Sequence, residues 1–157
     1  MSDAPFIQAL GRVPSGVFIL TVRHDEQETG MLASWVQQAA FQPPAVTIAV
    51  QQDRFVANWL TAGAPLVLNV VAEGGHALLK HFGRGFEPGV EAFDGLRVSR
   101  SQHGVPVLQD AAGYLECRPT SHVDSGDHRI FLAEVIGGQM DDSRSPMVHV
   151  RKSGAHY

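Results

Sequence analysis

The chain has 157 residues, of which 44% are apolar and 18% are charged, and its formal net charge is −4. A chain of this length fits one domain, residues 1–157, and can bury a core without disulfides. The negative charge and the lack of a basic run argue against nucleic-acid binding. No apolar stretch has the ~18 residues of a membrane helix, and the first residues lack the apolar core of a signal peptide. The single cysteine, Cys117, suits a reducing compartment, so we expect a cytoplasmic protein.

The first third of the chain predicts one helix and three strands. Residues 3–12 have helical apolar spacing, and "VFILTV" (17–22) is rich in the residues that favour strands. "MLASWV" (31–36) predicts a second strand that pairs with the first as a hairpin. "AVTIAV" (45–50) has almost no polar side chain and predicts a third strand buried on both faces. The polar stretch 37–44 is expected to be a connection, and its two glutamines have no evident role.

A helix, a strand and another helix are predicted next. Asp53 has the residue type of an N-cap, and "RFVANWLTAG" (54–63) places its apolar residues on one helical face. "LVLNVV" (66–71) predicts a strand in which Asn69 is expected to be a structural amide, and "GHALLKHFG" (75–83) predicts a short helix. Four further strands are predicted: "LRVSR" (96–100), "GYLECRP" (113–119), "RIFLAEVIGGQM" (129–140) and "MVHV" (147–150). Many short strands with few helices indicate a β-barrel or sandwich rather than alternating βαβ units.

Three other patterns have a simpler interpretation than the chemistry they suggest. "GRGFEPG" (83–89) lacks the GxGxxG spacing of a dinucleotide-binding turn and predicts a loop. Cys117, His122 and His128 match no zinc-binding spacing. Because Cys117 shares a strand face with Leu115, a buried thiol is favoured over a nucleophile.

Arg54 is the first residue of the chain that points to an anion. Backbone N–H groups at a helix N-terminus attract anions, whereas a cation in the first turn opposes the helix dipole. An arginine there is explained if a phosphate is its partner. An exposed surface arginine is the alternative, and the residues alone leave both open.

Eight segments of the chain, taken in order, resemble the flavin reductase family, the FMN-binding split β-barrel proteins. The resemblance is greatest to the flavin reductase domain that ends the flavodiiron proteins of photosynthetic microbes. Each segment is short, but together they cover nearly the whole chain. The segments are "GRVPSGVFILTV", "GMLASWVQQAAFQPPAVTIAV", "DRFVANWL", "LVLNVV", "LLKHFGRGFEPG", "GYLECRP", "SGDHRIFLAEV" and "HVRKSGAHY".

The resemblance implies a fold and a function. The fold is mainly β, a six-stranded split barrel with short helical insertions, which forms a homodimer with FMN near the subunit interface. The implied activity is that of an NAD(P)H:flavin oxidoreductase, with FMN or FAD as the flavin and NADH or NADPH as the hydride donor. Reduced flavin or electrons would pass to a partner oxygenase or another acceptor. Two alternatives stay open: an FMN-binding electron-transfer protein without efficient NAD(P)H oxidation, and a binding module that uses no flavin.

The resemblance also implies which residues hold the flavin. Gln51, Asp53 and Arg54 match the segment that holds the ribityl chain and the phosphate. From the residue type alone, Trp35 is equally compatible with packing in the core or at a dimer interface. The residues implied to contact the isoalloxazine ring are Met31, Ala33, Ser34, Trp35 and Val36.

Five residues later in the chain complete the implied site. His81 and Phe82 match a second phosphate or ring contact, although His81 also suits a helix C-terminus. His128 matches the nicotinamide side and is the candidate catalytic residue. Arg151 and Tyr157 are implied to cover the site.

Overall fold

The computed structural model describes residues 4–157. The helices in this range are α1 (Pro5–Gly11), α2 (Phe55–Thr61) and α3 (His76–Phe82). The strands are β1 (Ser15–Gly16), β2 (Phe18–His24), β3 (Gln27–Ala33), β4 (Val36–Phe41), β5 (Pro44–Gln51), β6 (Leu66–Val70), β7 (Val98–Arg100), β8 (Pro106–Leu108), β9 (Gly113–Ser125), β10 (His128–Met140) and β11 (Val148–His149). The fold is therefore mainly β, as the sequence predicts. α1 confirms the helix predicted over residues 3–12 but is shorter, since Ala4 and Arg12 only flank it and residue 3 lies outside the described residues.

Seven strands form one antiparallel sheet in the order β3-β2-β6-β9-β10-β5-β4. The long hairpin of β9 and β10 lies near its middle, and its register shifts twice. The remaining strands pair as β1 with β11 and as β7 with β8. Among residues 4–157, each helix has only seven residues, and none can cross a membrane.

The two edge strands of this sheet are joined to each other by two residues. β3 ends at Ala33 and β4 begins at Val36, so only Ser34 and Trp35 lie between them. Seven strands laid flat at ~4.8 Å spacing would span roughly 29 Å. Three Cα–Cα steps reach at most about 11 Å. The sheet must therefore curl until its two edges approach each other at this corner.

The inner face of the curled sheet encloses the larger core. Buried side chains from β2, β3, β5, β6, β9, β10 and α2 pack together there. The largest fully buried members include Ile48, Leu60, Leu68 and Phe131. A second cluster packs α3 and the loop that follows it against Ile19 and Val71 on the other side of the sheet. The two clusters hold the corner from both sides.

The first hairpin differs from its prediction. Its turn is only Asp25 and Glu26, with Asp25 at φ +54, and β3 already begins at Gln27. The predicted strand 31–36 is wrong because it spans the end of β3 and the start of β4. Polar residues lengthen this hairpin beyond the core, so an apolar run underestimates its length.

The stretch after Trp35 also differs from its prediction. Gln37 and Gln38 lie in β4 and not in a connection. In β5 the prediction of burial on both faces is wrong. Val46, Ile48 and Val50 are buried, but on the other face Thr47 and Ala49 are only partly buried. Small side chains such as alanine make that face look apolar in sequence although it borders solvent.

Asp53 does not cap a helix. α2 begins at Phe55, its N-cap is Arg54, and no side chain bonds its first turn. The bend before it is held by backbone bonds, from Gln52 N–H to the Asp127 carbonyl (3.0 Å) and from Arg54 N–H to the Gln51 carbonyl (3.2 Å). The bend before α2 is therefore anchored to the β9–β10 turn through Gln52.

Candidate functional site

Two cavities adjoin at the corner where the sheet edges meet. The first, here called the apolar cavity, has a volume of about 230 Å³. The second, here called the polar cavity, has a volume of about 330 Å³. Met31, Gln51 and Arg54 line both, so the two spaces form one continuous cleft.

The apolar cavity has the shape that a flat ring needs. Ala33, Ser34 and Ala49 line it with small side chains, and Trp35 adds a broad aromatic wall. Trp35 is 36% exposed, so its ring faces the cavity mouth instead of the core. Mostly apolar walls with a few polar groups are typical of cofactor sites.

The polar cavity holds donors that the rest of the protein leaves unused. Thr29 Oγ1 is buried and has no hydrogen-bond partner within the described chain. The half-buried Arg54 and the exposed Arg84 line the same space, and neither side chain forms a salt bridge or hydrogen bond within residues 4–157. Because a buried donor without a partner costs about 1–3 kcal/mol, the Thr29 hydroxyl indicates a ligand with an acceptor oxygen, and the two cationic side chains favour an anion. The carboxylates of Asp53 and Glu87 also line this cavity.

The loop after α3 closes tightly over Arg54. Gly85 has φ +72, and a Cβ atom at this position would lie 2.8 Å from Arg54 Nη1. Only glycine combines that backbone conformation with so close an approach. The loop therefore fixes the Arg54 guanidinium and brings Arg84 beside it.

Three aromatic rings meet at the mouth of the apolar cavity. The ring centroid of Trp35 lies 4.6 Å from that of His128 and 5.2 Å from that of Tyr157. The Arg151 guanidinium lies 5.3 Å from the Trp35 ring centroid, a distance at which a cation is attracted to the ring face.

His128 is buried, and its two ring nitrogens are both engaged. Nδ1 lies 2.6 Å from Asp127 Oδ1, and Nε2 is hydrogen-bonded to the Tyr157 hydroxyl. A carboxylate can only accept, so Nδ1 donates to Asp127, and in the neutral ring Nε2 accepts from Tyr157. The hydrogen bond and charge of His128 lower the pKa of Asp127, while partial burial raises the pKa of Tyr157.

The structure brings together most of the residues that the sequence assigns to the site. Asp53 lines the polar cavity, and Met31, Gln51 and Arg54 line both cavities. His128 is not on a cavity wall but supports Trp35 and Tyr157 from behind. The predicted residues that line the apolar cavity are Met31, Ala33, Ser34, Trp35, Gln51, Arg54 and Arg151.

Besides His128, three predicted residues lie away from both cavities. Val36 packs against the core, because it points to the opposite side from Trp35. Phe82 is 1% exposed and belongs to the second core cluster. His81 Nε2 lies 2.7 Å from the Ala92 carbonyl oxygen, so its ring is tied to the loop after α3.

Several residues of the site have no clear signal in the sequence. Thr29 is an ordinary polar residue of a hairpin strand, and His149 lies in the two-residue strand β11, yet both line the cleft. Arg84 offered a weak signal, since it stands between two glycines just after a helix. Its segment lacks the spacing of a dinucleotide-binding turn, so that pattern assigns Arg84 no role.

Two buried polar groups elsewhere are structural. Burial raises the pKa of the Cys117 thiol to about 12, so it is neutral at ordinary pH. Asn69 Nδ2 donates to the Ile19 carbonyl (2.9 Å) and to Thr21 Oγ1 (3.1 Å), and Asn69 Oδ1 accepts from the Leu108 N–H (2.8 Å). Both predictions from the sequence, a buried thiol and a structural amide, are confirmed.

Glu116 is a buried carboxylate on the face of β9 opposite Cys117. Its oxygens accept from the Ser101 hydroxyl, from the His103 N–H (3.2 Å) and from His103 Nδ1 (3.1 Å). Burial acts to raise its pKa, but these hydrogen bonds outweigh burial and hold the pKa below its usual value. Because the serine bonds the carboxylate and not the histidine, this is not a nucleophile–base pair. No group of three metal-ligating side chains occurs within residues 4–157.

Comparison with known families places the chain. Residues 10–155 match the family described as "Flavin reductase like domain", and the chain belongs to this family. It is 43% identical over 152 residues to "Putative diflavin flavoprotein A 6" of Nostoc sp. (strain PCC 7120 / SAG 25.82 / UTEX 2576), which covers 96% of the chain. The chain spans about a quarter (27%) of the length of that relative.

Solved structures show the same fold. The NADH:FAD oxidoreductase SgcE6 of Streptomyces globisporus C-1027 superposes with a TM-score of 0.84 at 31% identity, covering 95% of this chain and 87% of that protein. The flavin reductase HpaC complexed with NADP⁺ superposes with a TM-score of 0.79 at 25% identity, covering 92% of each chain.

Proposed function

We propose that residues 1–157 form one flavin reductase domain that binds FMN, or FAD, and takes hydride from NADH or NADPH. The observation that carries the proposal is the continuous cleft at the sheet corner. Its apolar half suits the isoalloxazine ring, and its polar half suits a phosphate. Arg54, which lines both halves, marks the position where the ribityl chain would pass between them.

The donors in the polar cavity fit a phosphate. Arg54 and Arg84 supply charge-assisted hydrogen bonds, which are roughly twice as strong as neutral ones. The unpartnered Thr29 hydroxyl supplies a further donor. Asp53 repels the phosphate itself but can accept hydrogen bonds from ribityl hydroxyls nearby. Gln51 serves either the ring or the ribityl chain, since it lines both cavities.

The protein's own contribution is binding, orientation and exclusion of water. The bound flavin supplies the hydride-accepting chemistry. Trp35 provides a wall for the ring, and Tyr157 shields the mouth of the cavity. His128, the candidate catalytic residue, lies behind Tyr157 and would contact the nicotinamide side only when Tyr157 moves, and Asp127 fixes its tautomer by accepting a hydrogen bond from Nδ1–H. Arg54 places a positive charge where the two cavities meet, and there it would balance the negative charge of the phosphate.

The outer side of the sheet supports a homodimer. The residues of β5 and β10 that alternate with the core residues point to this side, and β4 places Gln37 in line with Thr47 and Leu132. Leu132 is 38% exposed and Val123 is 60% exposed on the same side. Exposed apolar side chains that share one sheet face are typical of an interface. A second copy packed here would cover them and give Gln37 a partner.

Two further expectations concern the electron acceptor and the cellular location. We expect reduced flavin, or electrons, to pass to a partner oxygenase or another acceptor. A cytoplasmic location stays a prediction, and the single buried cysteine is compatible with it.

An anaerobic titration tests the proposed function. Purified protein is loaded with FMN or with FAD, the unbound flavin is removed, and NADH or NADPH is added while the visible flavin band is followed. Bleaching at one equivalent of NADH or NADPH supports the reductase. Flavin that stays bound but is inert to both nucleotides indicates the electron-transfer alternative. Protein that takes up neither flavin refutes the proposal.

A further inference from the structure

The segment 151–157 runs from β11 across α1 to the mouth of the apolar cavity. The Arg151 N–H donates to the Gly11 carbonyl (3.0 Å), and the Gly154 N–H donates to another carbonyl of α1 (2.8 Å). A Cβ atom on Gly11 would lie 2.4 Å from the backbone carbon of Ser153, so the segment rests directly on the helix backbone. These contacts fix the segment as far as Gly154.

Beyond Gly154 the segment reaches over the cavity, and its aromatic ring lies at the mouth. Tyr157 lines the apolar cavity, packs against Trp35, and its hydroxyl is hydrogen-bonded to His128 Nε2. Arg151 donates to the His156 carbonyl (3.0 Å), which holds the backbone in this direction. The flat ring thus covers the space through which a second flat ring would approach the flavin.

A nicotinamide has the same two requirements as this side chain. It is a flat ring that must stack at the open side of the cavity, and its carboxamide needs a polar partner. The Tyr157 hydroxyl already holds His128 Nε2, a polar atom that a carboxamide could use once Tyr157 has moved away. The nucleotide and Tyr157 therefore require the same atom and the same surface of Trp35.

We propose that Tyr157 occupies the nicotinamide position, so that the pyridine nucleotide enters only when Tyr157 leaves, and this side chain sets the affinity for NADH or NADPH. The inference rests on the proposed function. It assigns to one side chain of this chain the control of which molecules reach the flavin.

The interactions that keep Tyr157 at the cavity mouth are strong enough to hinder a competing ligand and weak enough to break. Its side chain is 63% exposed and is kept in place by one hydrogen bond and its contact with Trp35. Interactions of this kind together favour the closed position by a factor of about 10 to 100. The apparent dissociation constant of a ligand that needs the open position is raised by the same factor.

The experiment measures NADH binding to the FMN-loaded protein by anaerobic stopped flow, for the wild type and for Tyr157→Ala, Tyr157→Phe and Lys152→Ala. The dissociation constant comes from the NADH dependence of the bleaching rate. We expect Tyr157→Ala to lower it at least about tenfold and Tyr157→Phe to lower it less, since the ring remains. Lys152→Ala, an exposed residue of the same segment, should leave it unchanged.

A second variant acts from a distance. Gly11→Ala forces the segment off α1 without changing the identity of any cavity residue, and it should lower the NADH dissociation constant in the same direction as Tyr157→Ala. It keeps the test informative if Tyr157→Ala fails to fold. A melting curve of each FMN-loaded variant identifies one that has lost its fold.

Two results would overturn the inference alone, with flavin uptake and bleaching intact. If Tyr157→Ala and Gly11→Ala bind NADH as the wild type does, Tyr157 does not stand in the nucleotide's position. If they bind NADH more weakly, Tyr157 belongs to the nucleotide site and does not block it. Wild-type protein that binds no flavin, or is not bleached by either nucleotide, overturns the proposed function and this inference with it.

Discussion

Gly85 offers a way to move Arg54 without mutating it. In Gly85→Ala the new methyl group would lie 2.8 Å from Arg54 Nη1, and the guanidinium would have to shift away. The positive φ of +72 adds a backbone cost of about 1–2 kcal/mol for any L-residue. Gly89, in the same loop, has φ +80 and open space around its Cβ position. Gly89→Ala therefore has the same backbone cost without the contact.

Gly85→Ala and Gly89→Ala should have similar stabilities but different affinities for FMN. We expect both to lower the melting temperature by roughly 2–8 °C, from about 1–2 kcal/mol at 2–4 °C each. Displacing Arg54 from a phosphate removes a hydrogen bond of about 1.5–3 kcal/mol. At 1.4 kcal/mol per factor of ten, Gly85→Ala should weaken FMN binding by about 10- to 140-fold.

Quenching of FMN fluorescence in a protein titration measures the affinity, and a thermal melt measures the stability. If both variants bind FMN with wild-type affinity, Arg54 does not contact the phosphate and the assignment of the polar cavity is wrong. If Gly89→Ala loses as much affinity as Gly85→Ala, the loop conformation matters and the Arg54 contact does not.

Four further outcomes follow from the structure. Arg54→Ala should weaken FMN binding at least tenfold, and Arg54→Lys less, whereas a Kd like that of the wild type in both would contradict the phosphate role. Asn69→Ala should lower the free energy of unfolding by about 3 kcal/mol in urea, because it leaves buried backbone groups unpaired. The Cys117 thiol, with its pKa at about 12, should react with a disulfide reagent only on unfolding, and rapid labelling of the native protein would disprove its burial. Since the pKa of Glu116 is lower in the folded state, its stabilisation is present above the unfolded-state pKa and lost as pH falls through the folded-state pKa. Glu116→Gln should remove that part of the acid sensitivity in urea melts collected across pH.

Patterns of residue type predicted the elements that a single local rule determines. The β-branched run of β2 and the helical spacing of α2 needed only their own residues. Asn69 could be predicted as structural because an amide in an apolar strand must find partners inside the core. The strand boundary between Trp35 and Val36 could not be predicted this way. It depends on the edges of the sheet meeting, which is a property of the whole fold.

The residues proposed to bind the phosphate could also be predicted from the sequence only in part. Arg54 stood out because a cation at the start of a helix is unfavourable without a partner. Arg84 and Thr29 are unremarkable in their own segments, and they join Arg54 only because the loop after α3 folds back over β3. A residue whose role comes from a distant neighbour leaves little trace in its local sequence.

The two-residue link between β3 and β4 couples ligand binding to folding. Ser34 and Trp35 join the edges of the sheet and also line the cavity, so a bound molecule touches both margins at once. Such a ligand acts as a clamp, and it stabilises the folded chain by RT ln(1 + [L]/Kd). Hydrogen exchange at the amides of β4 should therefore slow on flavin addition more than exchange in the central β9–β10 hairpin. Inserting one residue into this link would turn the side chains of β4 to the opposite face of the sheet. The protein would then lose both the cavity and the contact between the two sheet edges.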